Sequence, residues 1–214
     1  MLTGTLQEAG VFLGNVYDTS IPFNRKGLQE PKAVLYMQEN LLNANGGSWS
    51  NPPPTLDWQD LHLAVRDLFI ESRAGRPIWG FKDPRTLFTL EGWQSVLPSL
   101  ECVGIFRHPL AVATSLHGRN GFPLEKGLDL WRIYNERLLL LHGKSAFPIM
   151  EFHRSSARLR TTLSTLLEVL HLSRPLQPSE FTFFDESLRQ HDTIDMSLPA
   201  AVENVYHRLL EVAL

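Results

Sequence analysis

Little in this sequence is extreme, and its shortages are the first guide. A single cysteine, Cys102, stands among 214 residues, so no internal disulfide can form and a stapled secreted scaffold is excluded. Neither sign of charge dominates: 20 Lys and Arg face 23 Asp and Glu, a net charge of -3. Such a chain has no broad positive field to draw in nucleic acid or an anionic membrane, so any anion must be bound locally. Long apolar runs are missing too. Stretches such as Leu138 to Leu141 fall far short of the ~18 residues of a membrane span, and the N-terminus lacks the basic-then-apolar layout of a signal peptide. These shortages together predict a cytoplasmic protein with neither a membrane nor a nucleic-acid partner.

Chemical signatures are equally sparse. The eight histidines, at 62, 108, 117, 142, 153, 171, 191 and 207, are scattered, with no HExxH pair and no Cys/His cluster, so no metal site is expected. No Gly-x-Ser-x-Gly elbow, thiol-nucleophile signature or glycine-rich dinucleotide fingerprint occurs. "HGKS" at 142–145 imitates the end of a phosphate loop. It follows a helical pattern and lacks the earlier glycine, so it reads as a helix-ending turn. Trp49, Trp58, Trp79, Trp93 and Trp131 do not cluster as a basic base-stacking surface would, and core packing accounts for them better. Cys102 reads as a buried strand residue.

What the sequence does have is material for one core. With 43% hydrophobic and 20% charged residues, a single domain over 1–214 is expected. "NANGGSWSNPPPTLD" at 43–57 lies between two helical patterns and reads as a loop rather than a domain boundary. Helical periodicity marks 31–43, 57–72 with Leu61, Val65, Leu68 and Phe69 on one side, 124–142, 156–171 and 198–212. Ile78–Phe81, Cys102–Phe106 and Phe147–Phe152 are short apolar runs that predict strands buried on both faces. The segments between them are long enough for helical crossovers, which predicts an α/β sandwich with a parallel sheet. Ligands in such sheets bind beyond the carboxyl ends of the strands.

Two of those ends carry the same device. "GFKDPRT" sets Lys82 at the end of a strand, with Asp83 as a helix N-cap and Pro84 at the first helical position; "IFRHP" repeats it with Arg107, His108 and Pro109. Both aim a cation and a helix N-terminus at one edge, which suits an anionic ligand. Arginine offers a fork of donors to a phosphate, and Ser115, two turns along the next helix, can add a hydroxyl. The plain alternatives are a strand-end arginine paired with a structural carboxylate at one junction and, at the other, a lysine that pairs with Asp83 or a neighbouring carboxylate.

"FRHPLAVATS", with a serine eight residues after the arginine, resembles the 3′-phosphate-binding motif of sulfotransferases. "WGFKDPRTL" resembles the Lys-Asp-Pro stretch of tyrosylprotein sulfotransferases and their bacterial relatives. The segment 24–49 and the C-terminal "FFDESLRQH" region look like counterparts in the same bacterial enzymes. The resemblance implies a three-layer, P-loop NTPase-like sulfotransferase fold that uses 3′-phosphoadenosine 5′-phosphosulfate (PAPS) as co-substrate, without a metal. It assigns Arg107 and Ser115 to the cofactor and Lys82 to the charge that develops on the bridging oxygen. Glu30 in "GLQEPK" is the nearest counterpart of the base that activates a hydroxyl or amine acceptor, whether small molecule, saccharide or peptide; a solvated first-turn glutamate one residue before Pro31 is the equal alternative.

The chain departs from that family at its start. The phosphosulfate loop, Gly-x-x-Arg-Ser-Gly-Thr-Ser, has no counterpart, and "MLTGTLQEAGVFLG" reads as the helix that would follow it, with Leu2 and Leu6 on one face and Gly10 as its stop. The expectation is therefore a sulfotransferase domain lacking its first strand, with weakened activity. A non-catalytic relative that binds nucleotide or another chain is the second reading. Strand edges left open by the missing strand would favour a homo-oligomer.

Overall fold

The computed structural model describes residues 1–20, 25–153, 155–172, 182–183 and 196–214. Its chain is mixed α/β and mostly helical, and it divides into two compact units, Met1–Leu100 and Glu101–Leu214.

In the first unit, α1 (Leu2–Glu8) stops ahead of Gly10, whose φ of +104° is a conformation other residues rarely adopt. Then come α2 (Lys32–Ala44), α3 (Asp60–Glu71) and α4 (Thr86–Gln94). Their amphipathic faces bury Val34 and Met37 of α2, Phe69 of α3 and Trp93 of α4 in one cluster. Trp58, Trp79 and Phe81 close around it. Phe69 meets Trp79, Phe81 and Trp93 edge-on at centroid distances of 6.2, 5.7 and 5.8 Å, the arrangement ring quadrupoles favour.

That cluster changes two sequence expectations. Ile78–Phe81 is not a strand: its sheet-like contact is one parallel bridge between Phe12 and Trp79, in which the Phe12 N–H donates to the Ile78 carbonyl and the Gly80 N–H to the Phe12 carbonyl. The apolar character of Trp79 and Phe81 serves the aromatic cluster rather than a sheet face. The buried side of α3 is also rotated from the predicted one. Leu61 and Leu68 are 65% and 64% exposed, whereas His62, Arg66 and Phe69 are buried. Most of the inward polar atoms have partners, His62 Nδ1 excepted. His62 Nε2 hydrogen-bonds Asn40 Oδ1, and Arg66 donates to Asp67, to the Gly92 carbonyl and to Ser95 Oγ. Burial lowers the His62 pKa, favouring the neutral ring.

Of the 43–57 stretch, the residues from Asn45 on form the expected loop, which is tied at its base. Asn45 Nδ2 donates to the Asp57 carbonyl at 3.1 Å, and the Asp57 N–H returns a bond to Asn45 Oδ1 at 2.8 Å. Gly47 is required inside it, because a Cβ there would lie 2.5 Å from Pro53 Cδ.

The second unit runs β1 (Gly104–Phe106), α5 (Pro109–Asn120), α6 (Leu124–Lys144), β2 (Ile149–Glu151), α7 (Ser156–Val169) and α8 (Ala200–Val212). β1 and β2 pair in parallel, Gly104 opposite Ile149 and Phe106 opposite Glu151. Two of the three predicted strands are thus present and parallel, each shorter than its apolar run. Ile149 and Met150 are fully buried, but Ile105 is 40% exposed, so β1 is not buried on both faces. Cys102 precedes β1 instead of lying in it, and partial burial raises its thiol pKa.

Helix α5 starts with Pro109 at its first turn and ends at Gly121, which is left-handed at φ 70°. α5 and α6 approach so closely that a Cβ on Gly127 would lie 2.8 Å from the Ala113 Cα. Helix α8 packs Val202, Val205 and Leu209 inward. The last residue, Leu214, donates its N–H to the Ile149 carbonyl. No described helix is long and apolar enough to cross a membrane. The predicted "FFDESLRQH" counterpart lies, after Phe183, outside the described residues.

Candidate active site

Glu30 is placed by a tight reversal of the chain. Gly27 and Gln29 both have positive φ, +71° and +56°, and fold residues 27–31 back on Tyr17. The Tyr17 N–H donates to the Glu30 carbonyl and the Gln29 N–H to the Tyr17 carbonyl, while Val16 bridges Pro31 at the start of α2. At Gly27 a Cβ would lie 2.5 Å from backbone atoms of Tyr17 and Asp18, so the reversal requires glycine there. The result is a glutamate only 5% exposed, not the solvated residue that its position before Pro31 suggests.

Lys82, 52 residues away, donates from Nζ to Glu30 Oε1 at 2.6 Å. Its side chain is 36% exposed against 6% for that of Glu30, so the pair has a dry carboxylate and a lysine open to solvent. Asp83 does not share the lysine. Its carboxylate accepts the Arg85 backbone N–H at 2.8 Å and Arg85 Nη1 at 3.0 and 3.1 Å, while Arg85 Nε donates to Glu39 on α2. The carboxylate therefore closes a turn rather than capping a helix, and α4 starts two residues later than Pro84, with Arg85 as its N-cap.

Burial pushes the Asp83 carboxyl up to about 6; Arg85 opposes that shift and the negative charge of Glu30 adds to it. The Met1 amino group is pushed down to about 6, chiefly by burial and further by the charges of Lys82 and Lys26.

The other two predicted residues lie in the second unit. Arg107 follows β1 directly, and its carbonyl accepts the Trp131 indole N–H at 2.8 Å. Its guanidinium sits 5.5 Å from the Phe152 ring centre, a cation–π distance. His108 is the N-cap of α5 and makes no side-chain capping bond. Its ring meets Tyr206 edge-on at 5.1 Å, and the Tyr206 hydroxyl donates to Glu151 at the end of β2. Ser115 is half-buried on the second turn of α5.

The structure thus brings Lys82 and Glu30 together within the first unit and places Arg107 and Ser115 at the strand end and helix of the second. Reading the sequence missed Arg85 and Glu39, which brace the Lys82 loop, Trp131 and Phe152 against Arg107, and Tyr206 against His108. None has a local signature, because each acts through contacts with residues distant in sequence. Among the described residues no group of three His, Cys, Asp or Glu side chains converges as metal ligands would. Comparison with known families, curated proteins and solved structures gives no match to this chain.

Proposed function

We propose that this chain is a sulfotransferase-like enzyme that moves a sulfuryl group from PAPS to a hydroxyl or amine acceptor. The observation that carries the reading is the 2.6 Å contact between Lys82 and Glu30. The resemblance assigned both residues to catalysis, and the contact brings together two residues 52 positions apart; a purely structural ion pair is the reading it competes with. The same reading takes the parallel β1–β2 pair as part of a three-layer sandwich of the P-loop NTPase type.

The donor set fits the nucleotide's 3′-phosphate. Arg107 offers a forked guanidinium next to the N-terminus of α5, where His108 adds no side-chain cap, and Ser115 adds a hydroxyl. When bound, PAPS supplies the sulfuryl group and leaves as 3′-phosphoadenosine 5′-phosphate. In this reading Lys82 would be the cation for the oxygen on which negative charge develops, a role fixed cations fill in phosphoryl transfer. Glu30 accepts the acceptor's proton, and its burial keeps water from that carboxylate.

The test is a calorimetric titration of 3′-phosphoadenosine 5′-phosphate, with adenosine 5′-phosphate as the control lacking the 3′ group. Arg107→Ala should cost about 1.5–3 kcal/mol of affinity for the first ligand and little for the second. A folded variant that binds both ligands as the parent does would refute the assignment.

A further inference from the structure

Helix α3 carries apolar side chains in two directions. Phe69 joins the aromatic cluster inside, yet Leu61 and Leu68 stand largely exposed, and Ala64 between them is exposed as well. Val65, half-buried, packs partly against the core. Leu61, Ala64, Val65 and Leu68 follow the i, i+3, i+4, i+7 spacing that aligns side chains on one helical stripe. Single apolar residues scattered over a surface are ordinary, but a contiguous row of them marks an interaction face. Core packing does not account for this row, because His62, Arg66 and Phe69 already occupy the buried side.

The row has an acidic border. Asp60, Asp67 and Glu71, at i, i+7 and i+11, line up along one edge of it, and all three are exposed. Asp67 accepts Arg66 Nε at 2.8 Å, whereas Asp60 and Glu71 have no ion pair among the described residues. Glu71 stands in the last turn of α3, where the helix dipole disfavours an acid, so helix stability does not account for it. The arginines of this stretch leave the border uncompensated: Arg66 and Arg73 are buried, and Arg76 lies over the Phe12 ring.

We propose that the outer face of α3 docks an amphipathic helix of another protein. The apolar ridge of that helix packs along Leu61, Ala64 and Leu68, and Lys or Arg on its flank meet Asp60 and Glu71. Ala64, the smallest side chain of the row, lets the two axes approach at its middle. A second copy of this chain is a poorer occupant: laid antiparallel, two α3 helices set both acidic borders on the same side, and laid parallel they offer neither border a cation. The same border repels an anionic membrane. The face shares no residue with Lys82 and Glu30 or with Arg107 and Ser115, so it stands apart from the sulfuryl-transfer reading.

The test uses the full chain and three labelled peptides followed by fluorescence anisotropy: Leu and Lys in an amphipathic helical pattern, Leu and Glu in the same pattern, and Leu and Lys in scrambled order. The patterned Leu–Lys peptide should bind saturably, and the other two about tenfold or more weaker. Leu61→Ser with Leu68→Ser should weaken its binding by about tenfold or more. Asp60→Asn with Glu71→Gln should weaken it severalfold and flatten its dependence on salt. All four positions are exposed, so the thermal midpoints should stay near that of the parent; the charge variant decides the matter if the leucine variant does not fold. The proposal is overturned if the patterned peptide does not bind, if all three peptides bind alike, or if the folded variants bind as the parent does. Self-association of the parent in sedimentation that the leucine variant abolishes would give the face to a second copy and overturn it as well.

Discussion

Removing the Lys82 ammonium, as in Lys82→Met, should destabilise the chain because it leaves the buried Glu30 carboxylate without its partner. At the observed 2.6 Å, Coulomb attraction at an effective dielectric near 20 is on the order of 6 kcal/mol. Most of that is offset by the cost of desolvating Glu30, and the solvent reaching the half-exposed lysine screens the remainder. A net loss of about 1–3 kcal/mol is expected. Glu30→Gln removes the buried charge itself and should cost less, about 1 kcal/mol or under. The double variant should then be more stable than the sum of the single losses implies, with a coupling of about 1–2 kcal/mol. Urea unfolding of the four proteins measures this, provided the m-values agree. A Lys82→Met variant within about 0.5 kcal/mol of the parent, with coupling below the same value, would show that the pair is not the desolvated contact inferred here.

Asp83 makes stability depend on pH. Its carboxyl, raised from 3.8 to about 6 in the folded chain, holds a proton there that the unfolded chain has already lost. Its contribution to stability therefore falls as pH rises from about 4 to 6, by up to about 3 kcal/mol. Asp83→Asn does not titrate, so the stability difference between it and the parent should change by that amount over the window; a constant difference would refute the linkage. Gly127→Ala should lower the thermal midpoint through a loss of about 1–3 kcal/mol, since the added methyl meets the Ala113 backbone at 2.8 Å. An unchanged midpoint would mean that α5 and α6 can separate freely.

The sequence was most legible where periodicity and packing agree. Helices predicted at 31–43, 124–142 and 198–212 fall close to α2, α6 and α8, whose apolar stripes do face inward. In α3 two stripes compete, and Leu61 with Leu68 lost to His62 with Arg66. Periodicity counts apolar residues, but hydrogen-bond partners 22 and 26 residues away decided which stripe could be buried. The Trp79–Phe81 run failed as a strand for a related reason. Its side chains had an aromatic cluster to join, and a run of apolar residues does not say which apolar surface it will meet.

At the candidate site, Lys82 and Arg107 were visible as the cations of two similar motifs, although only Arg107 follows a strand. The burial of Glu30 was not visible, because it depends on the Gly27–Gln29 reversal onto Tyr17.

The paired bonds between Asn45 and Asp57 also bear on how this protein could change over time. They fasten the end of α2 to the approach to α3 with residues outside the segment 46–56. The spacing of those two helices is consequently set at the neck of the loop and not by its contents. Residues beyond Gly47 could be lengthened, shortened or replaced from one descendant to the next without resetting the aromatic core beneath, which makes this segment the natural place for variants of one scaffold to acquire different surfaces.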